Sequence, residues 1–304
     1  MTQVEPRLEL AGLQATALTG TVGAVVEGID LAGELSEDDA AAIRGLLVRY
    51  GVLFFRAQHL TPDTQIAFPS RLGPLTKGHP NTSPSPGFDE RILNLQAVKA
   101  NHWHSDVSFV DRPPQASVLS AVTVPEVGGD TAFASAVAAY RSLPEPLQRL
   151  ADSLDVVHSN TFDYGTLART AEDRARLDEA FKNHKFETLH PLVQVIPETG
   201  ERALFLGGFA SRVDGLDGTQ SRAVLDLFQS HITRIEHTVR WHWSAGDVAI
   251  WDNRVVQHTL VDDLPTYEGR HHHRVTVAGR RAVGIDGRES VTLVGDSTDY
   301  APSV

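Results

Sequence analysis

Hydrophobic and polar positions along this chain alternate in short stretches, with a few helical segments between them. Residues 22–30 (VGAVVEGID) predict a strand. Ser36 then predicts a helix N-cap, with Glu37, Asp38 and Asp39 in the first turn of a helix running to about residue 49. Carboxylates there meet the positive end of the helix dipole. Residues 51–56 (GVLFFR) are a short apolar run of β-formers and predict a buried strand. Thr61 and Pro62 start a second helix, which Pro69 ends or kinks. Residues 77–101 are rich in Pro, Ser, Asn and Gly and predict a long surface loop of the kind that binds or covers ligands. Residues 102–110 alternate as a strand, and 116–123 form another. Gly128-Gly129-Asp130 predicts a turn into a strand over 131–134, with helices following from Ser135 and from Pro144 or Pro146. The charged stretch 166–186 has a helical pattern and predicts a solvated segment, part of a mobile cover. Residues 192–196, a turn at 197–200, and 203–206 predict a hairpin. An amphipathic helix over 219–232 leads to strands at 238–243, 247–251 and 270–277, with turns at 244–247 and 262–269. The last twenty or so residues carry a strand at 291–294 and then fray.

Strands dominate and do not alternate regularly with helices. That fits a mainly β fold, a jelly roll or other double-sheet core with helical additions, better than a doubly wound parallel sheet. No repeat or low-complexity segment divides the 304 residues, so one domain is expected, with a core over 10–280 and a C-terminal extension over 281–304.

Composition narrows the partners. A net charge of −12 argues against nucleic acid or an anionic membrane. It says nothing against a small anionic substrate, which responds to local charge. The chain has no cysteine, which excludes disulfides, thiolate metal sites and cysteine nucleophiles. The N-terminus (MTQVEPRLEL) lacks the basic and apolar regions of a signal peptide, and no apolar stretch is long enough to span a bilayer. A cytoplasmic protein, assembled as a homo-oligomer, is expected.

Chemistry concentrates in three places. His104-Ser105-Asp106 on an extended strand puts an imidazole and a carboxylate on one face. Such a triplet is expected about once by chance in a chain this rich in histidine, and equally suits a plain His–Asp hydrogen bond. A second histidine, His258, follows an apolar strand and the polar turn Asp252-Asn253. Two imidazoles and one carboxylate could occupy one face of a metal and leave the other open, as in non-haem Fe(II) oxygenases. Third, Arg270-His271-His272-His273-Arg274 places both arginines on one face of a strand and His271 and His273 on the other. Two arginines side by side repel unless each meets an anion, and a guanidinium fork suits carboxylate, sulfate or sulfonate. The three histidines cannot converge on one metal.

With these residues in order, the chain resembles the taurine dioxygenase and 2,4-dichlorophenoxyacetate dioxygenase family of Fe(II)/2-oxoglutarate-dependent oxygenases. The matching motifs are Trp103-His-Ser-Asp-Val-Ser-Phe109, Gly128-Gly-Asp-Thr131, Trp251-Asp-Asn-Arg-Val-Val-Gln-His258, and Arg270 with Arg274. The resemblance implies a double-stranded β-helix (jelly roll). It implies that His104, Asp106 and His258 ligate Fe(II), and that Thr131 and Arg270 hold the far carboxylate of 2-oxoglutarate. It gives Arg274 to the substrate's anionic group, His79 to a contact with the substrate and Val107 to a backbone contact with substrate. Its reaction uses O2 to turn 2-oxoglutarate into succinate and carbon dioxide while a substrate C–H bond is hydroxylated. Related halogenases lack the carboxylate ligand, so Asp106 favours hydroxylation.

Substrate is the open point. Thr82 stands where taurine dioxygenase has a tyrosine, which argues against taurine. His158-Ser-Asn-Thr-Phe-Asp-Tyr164 looks more like the alkylsulfatase branch, although Phe162 and Tyr164 could equally be core aromatics. In that branch, hydroxylation beside a sulfate ester gives an unstable product that collapses to aldehyde and sulfate. Three readings stand: an oxygenase of small alkyl sulfates or sulfonates, the same machinery acting on a carboxylate, and a non-catalytic jelly-roll metal-binding protein. The open-faced ligand set argues against the last.

Overall fold

A computed structural model describes residues 5–81, 84–161 and 184–302. Its core is a jelly roll of two facing sheets. The large sheet runs in the order Arg7–Leu10, Leu13–Ala17, Ala24–Glu27, Val52–Phe55, Val248–Asp252, Ala116–Thr123, His271–Val277, Leu93–Gln96. The small one runs Thr238–Trp241, Thr131–Ser135, Val256–Leu260.

The absence of alternation in Val52–Phe55 has a simple cause. Leu53 and Phe55 face one way, into a layer with Ile43, Leu46, Leu47 and Tyr50 of the helix Glu37–Tyr50. Val52 and Phe54 face the other, into a layer with Phe133, Val239, Trp241 and Val256 of the small sheet. Val248–Asp252 repeats the division, with Val248 and Ile250 on the helix side and Ala249 and Trp251 inside. A strand covered on both faces needs apolar residues at every position. The covering helix starts where the sequence predicts: Ser36 and Asp39 form a reciprocal capping box, Ser36 accepting from the Asp39 N–H. Pro69 lies in the last turn of Pro62–Ser70, so it ends that helix.

Ala210–Val213, Asp155–Ser159, Glu187–Pro191 and Val291–Val294 make a further sheet beside the jelly roll. The hairpin Val193–Val195 and Arg202–Leu204 and the helices Ala136–Ser142, Glu145–Asp152 and Gly218–Ile232 follow the pattern read from the sequence, whereas the strands Arg7–Leu10, Leu13–Ala17, Asp155–Ser159, Glu187–Pro191, Ala210–Val213 and Val256–Leu260 go beyond it.

Three expectations fail. Residues 102–110 are not a strand: one bridge joins His104 to His258, and the chain then turns, with Val107 at φ 51°. Period-2 alternation there reflects a buried turn with apolar residues packed beneath it, and pattern alone cannot separate the two. The loop 77–101 contains the strand Leu93–Gln96, which covers the open edge of His271–Val277. Its polar composition suits an edge, and the pairing partner is remote in sequence. The C-terminal tail does not fray, because Tyr300 and Ala301 are buried. The expectations for 166–183, for Phe162 and Tyr164, and for Thr82 lie outside the described residues. Residues 184–186, the end of the charged stretch, are not helical.

Phe54 sits between the sheets, stacked on Trp241 at 4.2 Å and edge-on to Phe133 at 5.4 Å. Phe54→Ala should destabilise the fold by about 3–5 kcal/mol, the usual cost of a large core cavity. Urea denaturation measures it; a loss below ~1 kcal/mol would mean that this layer does not hold the sheets together.

Candidate active site

The bridge at His104 builds the site. Its N–H donates to the His258 carbonyl at 3.0 Å, and the His258 N–H donates back at 2.9 Å. This closely hydrogen-bonded pair sets the two imidazoles beside each other, with ring centroids 4.2 Å apart. Asp106 then arrives through the turn rather than through strand alternation. The ligating atoms of His104, Asp106 and His258 all lie within 4.8 Å of one another. Nε2 of His104 is 3.7 Å, and Nε2 of His258 3.9 Å, from Asp106 Oδ1.

Each donor atom is prepared for a cation. The Nδ1 of His104 lies 2.7 Å from the His102 carbonyl, which can only accept. Nδ1 therefore carries a proton, and Nε2 is the ring atom that faces Asp106 and the site. His258 is buried between Trp251 and Phe133. That burial, then the neighbouring His104, hold its pKa far below that of free imidazole, so His258 is neutral. Burial alone would raise the pKa of Asp106. Arg274, then the two imidazoles and Ser117, outweigh it and pull the value down to about 2. The carboxylate is held from every side. Ser117 donates to Oδ2 at 2.6 Å, Arg274 contacts Oδ1, and the Asp106 N–H donates to Asn253 Oδ1 at 3.1 Å. Asn253 also donates to Ser117 at 2.8 Å and accepts from the Trp251 indole at 2.9 Å. Two imidazoles and an ionised carboxylate whose donor atoms converge fit a divalent transition metal.

The predicted co-substrate pair lies alongside. Thr131 and Arg270 are buried. Gly128 and Gly129, at φ 81° and 70°, turn the chain into the strand that carries Thr131. The Gly129 carbonyl accepts from Arg270 Nε at 3.1 Å. Among the described residues no carboxylate pairs with Arg270. Burial lowers its pKa to about 10, which leaves it cationic at neutral pH. A buried, unpaired cation is costly and marks a place for an anion. The Thr131 hydroxyl accepts from the Trp243 indole at 2.9 Å, so its own proton is available to a ligand.

On the substrate side, the structure brings His79 and Arg274 near Asp106 and places Val107 in an apolar cluster with Phe109, Phe186, Phe209 and Tyr300. His79 Nδ1 accepts from the Asn81 N–H at 3.1 Å, which puts the His79 proton on Nε2. Burial, and then Arg274, hold its pKa well down. His79 lines a cavity of about 300 Å³ with Lys77, Phe186 and Tyr300. His158 is buried and bonded to Ser108, while His271 and His273 meet on the opposite face of the arginine strand at 3.0 Å.

Sequence reasoning missed Ser117, Asn253 as a support, Trp243 and Gly207. A Cβ on Gly207, whose φ is 132°, would lie 2.9 Å from the His104 Cα. Only the polar turn after an apolar strand hinted at Asn253; nothing local marks the others.

A jelly roll with two imidazoles and one carboxylate on an open face is the arrangement of non-haem iron oxygenases. The chain belongs to the taurine catabolism dioxygenase TauD, TfdA family, whose pattern matches residues 14–276. It is 45% identical to an alpha-ketoglutarate-dependent sulfate ester dioxygenase of Pseudomonas putida, over 92% of this chain and 94% of that one. It is 40% identical to an alkylsulfatase of Acinetobacter baylyi, over 93% and 90%. The fold matches a taurine dioxygenase from Burkholderia xenovorans with a TM-score of 0.80 at 36% identity, covering 94% and 96% of the chains. It also matches AAD-2 in complex with Mn(II) and N-oxalylglycine, with a TM-score of 0.76 at 26% identity over 90% and 98%.

Asn253→Ala removes the support of the Asp106 main chain and of Ser117 without touching a donor atom. Affinity for Fe(II), measured by competition with a chelating indicator, should fall roughly 10–100-fold. Unchanged affinity would show that the network does not position Asp106.

Proposed function

We propose that this protein is an Fe(II)- and 2-oxoglutarate-dependent dioxygenase that oxidises small alkyl sulfate esters and releases inorganic sulfate. The observation that carries the reading is a pair of buried arginines, Arg274 against Asp106 and Arg270 against the Gly129 carbonyl close to Thr131, which offers two separate anion sites. Arg270 suits the far carboxylate of 2-oxoglutarate. Arg274, whose Nε is buried without a partner, suits the anionic group of the substrate. The two relatives named for sulfate ester oxidation and for alkylsulfatase activity support the sulfate class.

His104 and His258 would hold the iron through Nε2, and Asp106 through a carboxylate oxygen. With 2-oxoglutarate and O2, the bound iron supplies the oxidising power for C–H hydroxylation, yielding succinate and carbon dioxide. The residues of the chain do the rest. Arg270 and the Thr131 hydroxyl fix the co-substrate's far carboxylate. Arg274 holds the sulfate next to Asp106, which brings the carbon bearing the ester oxygen to the metal. His79 donates from Nε2 to the same anion, the Val107 main chain borders the substrate, and the surrounding aromatic residues exclude water. Hydroxylation of R–CH2–OSO3⁻ gives R–CH(OH)–OSO3⁻. The C–O bond to sulfate then breaks as the hydroxyl loses its proton, leaving the aldehyde, sulfate and a proton.

Iron-loaded protein with 2-oxoglutarate and n-hexyl sulfate should produce succinate and sulfate in equal amounts. Succinate with a carboxylate substrate but none with sulfates would favour the carboxylate reading. No succinate with any anion would favour a binding protein.

The two anion sites separate by mutation. Arg270→Ala should raise KM for 2-oxoglutarate roughly 10–100-fold, the effect of losing a charged hydrogen-bonding partner, and leave KM for the sulfate nearly unchanged. Arg274→Ala should do the reverse. Equal effects on both substrates would undo the assignment.

A further inference from the structure

The C-terminal tail carries one polar atom that the reaction above does not use. Tyr300 is 4% exposed, and its hydroxyl forms no hydrogen bond of good geometry. The tail is pinned so that this ring points inward. Lys77 N–H donates to the Tyr300 carbonyl at 2.9 Å, and Tyr300 N–H donates to the Ser297 carbonyl at 3.0 Å. Ser297 Oγ donates to Asp111 at 2.7 Å, and Arg281 pairs with Asp111 at 2.8 Å. The ring packs with Val107, Phe109 and Phe186, and it lines the same cavity as His79. The charge of Arg274 reaches its hydroxyl, and the Thr76 and Thr276 hydroxyls lie beside it. Those two threonine hydroxyls bond to each other, and Thr76 also donates to the Lys77 carbonyl, so neither forms a well-made bond to the phenol and its proton stays open to an anionic acceptor. Arg274 Nε is buried and unpartnered in the same region, so two donors await one anion.

We infer that Tyr300 is a specificity-determining residue, whose hydroxyl donates to a sulfate ester held by Arg274 and so selects tetrahedral anions over planar carboxylates. The inference rests on the proposed function and names how that site tells its substrate from others. A planar carboxylate can spend both oxygens on the guanidinium fork. A sulfate monoester has a third terminal oxygen, which stands out of that plane and needs its own donor. Burial raises the pKa of Tyr300, so the phenol keeps its proton at neutral pH. The tail therefore does more than cover the core: it completes the anion pocket from a segment distant in sequence from every other site residue.

The test is Tyr300→Phe, which keeps the ring and its packing. n-Hexyl sulfate and n-hexanoate are titrated calorimetrically into anaerobic protein loaded with Fe(II) and 2-oxoglutarate, and the thermal midpoint checks folding. Tyr300→Phe should weaken hexyl sulfate binding roughly 10–100-fold, the effect of one donor to a charged group, and hexanoate binding by less than about threefold. KM for hexyl sulfate should rise accordingly, with kcat changed far less. No change for sulfate, or an equal loss for both anions, would make Tyr300 a packing residue and overturn the inference, while the proposed function stands. If the wild-type protein binds no hexyl sulfate, the proposed function itself fails.

Discussion

Asp106 carries a negative charge at a position almost closed to water, and the rest of the site is organised around keeping it ionised. A buried carboxylate without partners would take up a proton instead. Here the compensation comes from both sheets. Arg274 and Ser117 reach it from adjacent strands of the large sheet, and His258 faces it from the small one. Asn253, at the end of the strand Val248–Asp252, ties its backbone to the same network. The layer of Phe54, Phe133, Trp241 and Trp251 between the sheets sets their separation and dries the space behind the two imidazoles. Core packing and metal-site geometry are in that sense one constraint, because a shift between the sheets would pull His258 away from Asp106.

The two arginines show why net charge predicts so little here. A chain of net charge −12 still builds two cationic sites, four residues apart and both buried. One is balanced by Asp106. The other lies against the Gly129 carbonyl with no carboxylate beside it among the described residues. In a water-poor pocket local charge far outweighs the distant acidic surface, which salt and solvent screen. The same strand turns His271 and His273 to its other face, where they bond to each other, to Asn94 of the edge strand and to Gln65 of the helix Pro62–Ser70.

Much of this was legible in the sequence, for identifiable reasons. The N-cap at Ser36, the short apolar run at 51–56 and the Gly128-Gly129 turn are local signals, and the structure bears out each. The His104, Asp106 and His258 set was named from spacing and resemblance, yet by the wrong local route. A strand was expected over 102–110, where a turn with Val107 at positive φ brings Asp106 round. Ser117, Trp243 and Gly207 were invisible because their roles exist only once remote strands meet. Ser117 is one serine in an ordinary strand until Trp251 and Thr276 pair across it. The tail was read as fraying from its polar composition, because nothing near Tyr300 in sequence shows the pocket that receives its ring.

The central claim is that His104, Asp106 and His258 hold iron with an open face, and that an anionic substrate seats beside it on Arg274. Anaerobic visible absorption of the protein loaded with Fe(II) and 2-oxoglutarate tests this most directly. The account predicts a charge-transfer band from chelated 2-oxoglutarate that moves when an alkyl sulfate is added. A band that forms equally well in Asp106→Ala, or one that no anionic substrate shifts, would contradict it.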